Sequence, residues 1–291
     1  MEVVSLHIYP VKGCKGISLR EAKIGTRCFE YDRHWIIVDA AGEKITQREE
    51  PRLALIKTEI HDATLTLSAQ GHGKTHIDIN TIPEKPKSVD VWGDDSPGLV
   101  ERIEASQWLT DFLKQPVTLL RFDESKRRDV IPEWGGGESG AHIAFNDCLP
   151  LLITNTHSLD SLNDWRAQEG LVPSQMDRFR PNIVVTAVEP WEEDTWPALQ
   201  FENGALLEIT RPCSRCRVPN VDQETAVPEE TGNLQILSKR RLFKNYLGRP
   251  GAMFGVQGLV RGCEGKSVRL GDKPRATHQS LSLPNVPRLS R

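Results

Sequence analysis

Apolar residues in the first third of the chain come in short runs, broken every few positions by glycine, proline or charged residues. That pattern predicts a barrel or sandwich of short strands. An apolar-rich segment over residues 3–11 is closed by Pro10 and Gly13. Residues 35–38 and 44–46 flank Asp39-Ala40-Ala41-Gly42, which predicts a hairpin; residues 53–60 and 64–67 flank His61-Asp62-Ala63 and predict a second. Residues 89–92 add a strand. The period then changes. Ser96 and Pro97 supply an N-cap and an N1 proline, predicting a helix over 96–114 with Val100, Ile103, Leu109, Phe112 and Leu113 on its core side.

A charged, glycine-rich stretch over 123–140, with Lys126-Arg127-Arg128 and Gly135-Gly136-Gly137, reads as a loop or hinge between domains. Beyond it come an apolar strand over 149–153 and a helix capped by Thr156, with Leu159, Leu162 and Trp165 on one face and an end near Gly170. Residues 182–185 form a strand, and 199–209 fold back about Asn203-Gly204, a strong two-residue hairpin signal. A short helix over 234–242 and strands over 254–260 and 268–270 complete the pattern. The expected fold is mainly β with a few helices, of the α+β class. The last residues, polar and proline-bearing, are expected to be a disordered tail.

Composition narrows the function classes. At 291 residues, 38% hydrophobic and 26% charged, the chain has the make-up of an ordinary soluble protein, with room for two modest cores. A net charge of -3 gives no electrostatic reason to expect nucleic acid as a macromolecular partner. No apolar run reaches the roughly 18–20 residues of a membrane span, and none is expected. The N-terminus lacks the basic and apolar regions of a signal peptide. Six scattered cysteines do not make a disulfide framework, so free thiols and a cytoplasmic location are expected.

The most informative run is Arg211-Pro212-Cys213-Ser214-Arg215-Cys216-Arg217. Two cysteines at this spacing suit a zinc knuckle, a redox dithiol, a soft-metal ligand with a neighbour, or simply two small buried residues. A zinc site normally needs four protein ligands, and no second such pair occurs; the eight histidines show no metal-ligand spacing. A thioredoxin-like dithiol would open a helix in a βαβ unit, whereas this pair follows a strand. Flanking arginines favour the thiolate form that binds soft metals.

Pro212-Cys213-Ser214-Arg215-Cys216 followed by Val221-Asp222, and preceded by Phe179-Arg180-Pro181-Asn182-Ile183-Val184-Val185, closely resembles the MOSC domain family. The particular likeness is to the mitochondrial amidoxime-reducing component and its bacterial relatives. Tyr9-Pro10-Val11-Lys12, Tyr31-Asp32-Arg33, and Thr46-Gln47-Arg48-Glu49-Glu50-Pro51-Arg52-Leu53 match in the same order, so the resemblance spans residues 3–272. It implies an N-terminal β-barrel domain over 1–122, a β-barrel-like MOSC domain over 123–275, and a tail over 276–291.

The resemblance further implies a molybdenum cofactor (Mo-molybdopterin): molybdenum on the dithiolene of a phosphorylated pterin, with one protein cysteine as ligand. That position falls on Cys216, and Cys213 takes a supporting role. Lys12 and Arg33 are the implied phosphate anchors, the arginine offering a bidentate fork. Arg180 and Asn182 match positions that hydrogen-bond the cofactor, and Ser214 and Arg215 are further candidates. Arg48, with Glu49 and Glu50 beside it, ranks below Arg33 as a cofactor contact. Two positions depart from the family pattern. Gly13 stands where a serine often reaches a phosphate oxygen, although its backbone N–H can still donate. Gln257 stands near the place of a tyrosine.

The implied activity is reduction of small N-hydroxylated compounds such as amidoximes, hydroxylamines and N-hydroxylated bases. The alternative is a sulfur carrier or cofactor-handling protein acting through Cys216; a third reading is a zinc-stabilised interaction module. The chain has no G-x-G-x-x-G fingerprint opening a strand–helix unit and no iron–sulfur cysteine pattern. Electrons are therefore expected from an external electron-transfer protein with its NAD(P)H-dependent reductase.

Overall fold

The computed structural model describes residues 1–131, 140–245 and 247–277. The predicted glycine run at 135–137 and the tail from 278 onward lie outside the described residues. The first strands are β1 (Glu2–Ile8), β2 (Ile17–Leu19), β3 (Glu21–Lys23) and β4 (Trp35–Asp39). They are followed by β5 (Lys57–His61), β6 (Thr64–Ser68), β7 (Lys74–Asp78), β8 (Val89–Asp90), β9 (Asp95–Ser96) and β10 (Gly98–Val100). Helix α1 (Ile103–Leu113) and β11 (Val117–Phe122) come next.

Strand β4 shows how the alternation organises this half. Trp35 and Ile37 point into one core with Leu53, Leu65, Leu109 and Leu119. Ile36 and Val38 point into another with Val91, Leu120 and Phe145. A two-residue period with both faces covered yields a continuous apolar run. The second hairpin forms as expected, with β5 and β6 joined through Asp62 and Ala63, both at positive φ. β7 adds a third strand that the sequence reading missed, although Thr75 and Ile77 alternate with exposed Lys74, His76 and Asp78.

The helix expected from Ser96 starts seven residues later. Ser96 lies in β9, and residues 98–100 pair with β11 instead, because Leu99 and Val100 complete a sheet whose neighbour is already extended. Arg102 occupies the cap position, and Ile103 is 62% exposed, so its predicted core placement is wrong. Leu109 and Leu113 are buried as expected. The strand expected over 53–60 begins as a 3-10 turn, Pro51–Leu55, because Pro51 opens it and Glu50 caps it. Residues 44–46 contribute only a bridge from Lys44 to Val38.

The later elements are β12 (Leu151–Asn155), α2 (Thr156–Gln168), β13 (Ile183–Thr186), β14 (Ala198–Gln200), β15 (Leu206–Ser214), α3 (Asn233–Arg240), β16 (Leu242–Lys244), β17 (Pro250–Val260), β18 (Ser267–Arg269) and β19 (Arg275–Ala276). A nine-stranded sheet runs β19-β14-β15-β17-β12-β13-β1-β2, with β16 on β17. β12 and β13 are parallel, and α2 lies on the crossover between them. The N-terminal strand β1 thus completes the sheet of the C-terminal half, pairing antiparallel with β13. Val3, Leu6 and Ile8 share a core with Ile153, Ile183, Leu207 and Val256. Among the described residues the architecture is mainly β with three α-helices, and the sheets keep open ends. Asn155, not Thr156, caps α2: its extended backbone lets the side chain accept from the His157 N–H. Ala276, the first residue of the expected tail, pairs with Leu199. No helix among the described residues is long and apolar enough to cross a membrane.

One buried carboxyl sets a pH dependence. Glu193 is fully buried near the end of β12, where burial raises its pKa from 4.5 to about 7 against hydrogen bonds from Ser158 and Asn155. The unfolded chain ionises first, so this group weakens folding as pH rises from about 4.5 to about 7. The full effect is on the order of 3 kcal/mol. Glu193→Gln, which mimics the protonated form, should gain that much relative to the parent between pH 4.5 and pH 8 in urea unfolding. A pH-independent difference would refute the assignment.

Candidate functional site

The two halves meet at a cavity of about 660 Å3 lined by Lys12, Gly13, Arg33, Arg180, Asn182, Ser214, Arg215 and Cys216. These eight candidate residues therefore share one wall system, across about 200 positions of sequence. Their arrangement starts from β15 and β17. Their pairing slips between Ile209 and Arg211 and again between Pro212 and Ser214. Pro212 has no N–H to give to a ladder, and bulges of this kind re-aim side chains at a sheet's rim. The chain then leaves the strand at Ser214 and presents Cys216 on the loop before the 3-10 turn Val218–Asn220. Cys216 is exposed and Cys213 is buried.

Two of the three arginines in this run reach other sulfurs. Arg215 donates through Nη1 to Cys213 Sγ at 3.0 Å and through Nη2 to the Phe179 carbonyl at 2.8 Å. Arg211 donates through Nη2 to Cys148 Sγ at 2.9 Å. Cys148 also meets the Gln257 amide, with Nε2 at 3.4 Å, and burial raises its thiol pKa despite Arg211. Sequence reasoning missed Cys148 because it stands alone, far from its partners, in no motif.

On the opposite side of the site, β1 ends and residues 9–12 turn toward β4, with Lys12 N–H donating to Trp35 and Trp35 N–H to Pro10. Val11 to Cys14 close a turn through the Cys14 N–H, with Gly13 at φ +89. A side chain at Gly13 would be strained there, and its Cβ would lie 2.9 Å from Leu53 Cδ1. Glycine at this departure from the family pattern therefore has a backbone reason.

Lys12 is buried and its ammonium is engaged: Nζ donates to the Phe145 carbonyl at 2.7 Å and to Asp147 Oδ1 at 2.5 Å. Burial lowers its pKa, and Asp147 opposes that shift. Desolvation works on Asp147 in the raising direction, but Lys12 and the Trp92 indole N–H outweigh it and hold the carboxyl below its ordinary range.

Arg33 Nη1 lies 2.6 Å from both oxygens of buried Asp32, whose Oδ1 also accepts from the Tyr9 N–H. The Arg33 and Arg180 guanidiniums lie 4.4 and 4.3 Å from the centroid of the Tyr9 ring. An electron-rich face between two cations lets them approach each other. Burial still lowers Arg180 to about 10. Arg180 Nη1 and Arg215 Nε are buried without a partner among the described residues.

Asn182 behaves differently from the other candidates. Its amide nitrogen donates to the His7 carbonyl at 3.2 Å, while its oxygen accepts from Leu152 N–H at 3.1 Å and Arg33 Nη1 at 3.3 Å. It ties β1, β12 and the strand after it together and steadies Arg33. Ser214 is exposed opposite Met253. Arg48 pairs with Glu49 at 3.5 Å and also lines the cavity, 5.0 Å from the Trp92 ring. Among the described residues no group of three His, Cys, Asp or Glu side chains is placed to hold a metal. The zinc-knuckle reading therefore lacks its ligand set there.

Residues 1–116 match the MOSC N-terminal beta barrel domain and residues 140–274 the MOSC domain. The chain is 32% identical over 250 residues to mitochondrial amidoxime reducing component 2 of Bos taurus, covering 82% of this chain and 72% of that protein. It is 32% identical over 288 residues to the Homo sapiens protein of the same name, covering 93% and 82%. It is also 32% identical over 248 residues to molybdenum cofactor sulfurase of Danio rerio, covering 77% of this chain and 28% of that protein. The match extends through both halves that build the cavity, and the chain belongs to the MOSC-domain family that includes the mitochondrial amidoxime-reducing components.

Proposed function

We propose that the protein is a molybdenum-cofactor-dependent reductase of N-hydroxylated compounds, with Cys216 as the single protein ligand to the metal. The observation that carries this reading is one cavity holding an exposed thiol among guanidinium donors, of which Arg180 Nη1 and Arg215 Nε have no acceptor among the described residues. A phosphorylated pterin dithiolene needs that donor set: cationic N–H groups for its phosphate and one soft ligand for its metal. The residues fit the group. When bound, the molybdenum centre supplies the two-electron chemistry that converts N–OH to N–H with release of water.

The chain's own residues do the rest. Arg33, braced by Asp32 and Tyr9, and Arg180, with an unspent Nη1, hold the phosphate. Lys12 joins them only by exchanging its bond to Asp147, so its contribution is smaller. Arg215 holds the buried Cys213 sulfur and so shapes the loop that presents Cys216. Asp147 stays ionised at neutral pH and is not the proton donor, because giving up its charge would strand the Lys12 ammonium. The cavity wall around Cys148 and Gln257 admits substrate.

Metal analysis and turnover test this together. The purified protein should carry close to one molybdenum per chain and reduce an amidoxime with reduced viologen, yet not with NADH alone. A small electron-transfer protein with its NADH reductase should restore NADH dependence, through a transient interface whose rate falls with salt if charge steers it. A labile persulfide on Cys216 without molybdenum would instead favour the sulfur carrier, the alternative that the sulfurase relative suggests. NADH oxidation by the isolated chain would overturn the external-donor reading.

A further inference from the structure

We infer that Trp92 is the aromatic wall of the substrate subsite and selects planar aromatic N-hydroxylated compounds over aliphatic ones; the inference rests on the reductase reading. Trp92 sits at the tip of the β8–β9 hairpin, closed by the Val91 N–H to the Asp94 carbonyl at 2.9 Å. Trp92 has φ +62 and Gly93 φ +84. Two-residue hairpin turns with both central residues at positive φ favour Asn, Asp or Gly at the first, and a bulky ring there is a backbone disadvantage. The surrounding structure over-determines it nonetheless. The indole Nε1 donates to Asp147 Oδ1 at 2.9 Å, on the oxygen that Lys12 also holds. The Arg48 guanidinium and Lys44 ammonium lie 5.0 and 5.7 Å from the ring centroid. Buried Arg128 donates to the Val91 carbonyl and to Asp94, fixing the tip from beneath.

These contacts orient the indole and leave part of it open. The residue remains 51% exposed and lines the same cavity as Cys216. A strained, anchored, half-open aromatic surface on the wall of the cavity that Cys216 also lines has the features of a built recognition element. Its chemistry suits a flat π-system laid against the open part of the ring, next to the Arg48 guanidinium that lies over it. An alkyl amidoxime offers the same reactive group but no plane to stack.

The test compares an aryl amidoxime, benzamidoxime, with an alkyl one, acetamidoxime, using the full-length protein as purified with its cofactor and reduced viologen as donor. Trp92→Asn suits the turn and should fold at least as well as the parent. We expect it to lower the aryl-to-alkyl ratio of kcat/KM about tenfold, mainly through KM for benzamidoxime, a factor within the range of aromatic stacking. Trp92→Phe keeps the plane and should retain most of the preference. Calorimetric binding of benzamidoxime, read without turnover, should weaken about tenfold in Trp92→Asn. An unchanged ratio with unchanged binding would overturn the subsite. If the parent reduces neither compound, the reductase reading fails, and the binding comparison still decides whether Trp92 holds aromatic ligands.

Discussion

Cys216→Ser is expected to remove bound molybdenum and to lower viologen-supported amidoxime reduction by more than about 100-fold, beyond the range seen when only a supporting contact to a metal site is lost. A hydroxyl is a harder and more basic ligand than a thiol, so it does not replace a soft donor to this metal. Cys213→Ser is the internal control. The Cys213 sulfur is buried and accepts from Arg215 Nη1 at 3.0 Å, and a serine oxygen can accept the same bond. That variant should keep its molybdenum and much of its activity. Metal content by elemental analysis, measured beside rates, separates the outcomes. Equal loss in both variants would show a dithiol site and refute a single ligand.

Arg33→Ala should empty the anion site and weaken the fold at once. Loss of charge-assisted hydrogen bonds to a phosphate costs about 1.5–3 kcal/mol, which corresponds to roughly 10- to 150-fold weaker pterin retention. The same change leaves the Asp32 carboxylate, with a 1% exposed side chain, without its cation. Breaking one side of a buried pair costs on the order of 3–5 kcal/mol of stability. Pterin released on denaturing the purified protein, together with urea unfolding, reads both effects. Arg33→Lys restores charge but not the planar fork, so it should recover stability more than pterin retention. Lys12→Ala should lose less pterin than Arg33→Ala, because the Lys12 ammonium is already spent on Phe145 and Asp147. Full pterin retention in Arg33→Ala would remove Arg33 from the site.

Much of this protein was legible from sequence where physics is local. Apolar runs marked β4 and β17, alternation marked β6, Asn203-Gly204 marked the turn between β14 and β15, and a one-sided apolar face marked α2. Motif likeness also picked out eight residues that line one cavity. What needed tertiary structure was every choice made between competing partners. Leu99 and Val100 could serve a helix face or a sheet edge, and the waiting β11 decided for the sheet, which left Ile103 in solvent. Arg211 and Arg215 stand in the same run as Cys216, yet the fold carries their donors to Cys148 and Cys213. Lys12 reads as a free anchor until the chain brings Asp147 against it, and Asn182 as a ligand contact until two strands and Arg33 claim its amide. Local propensity determines which elements can form; the partners of a buried polar group depend on what the fold delivers within 3 Å of it, and sequence distance carries no record of that.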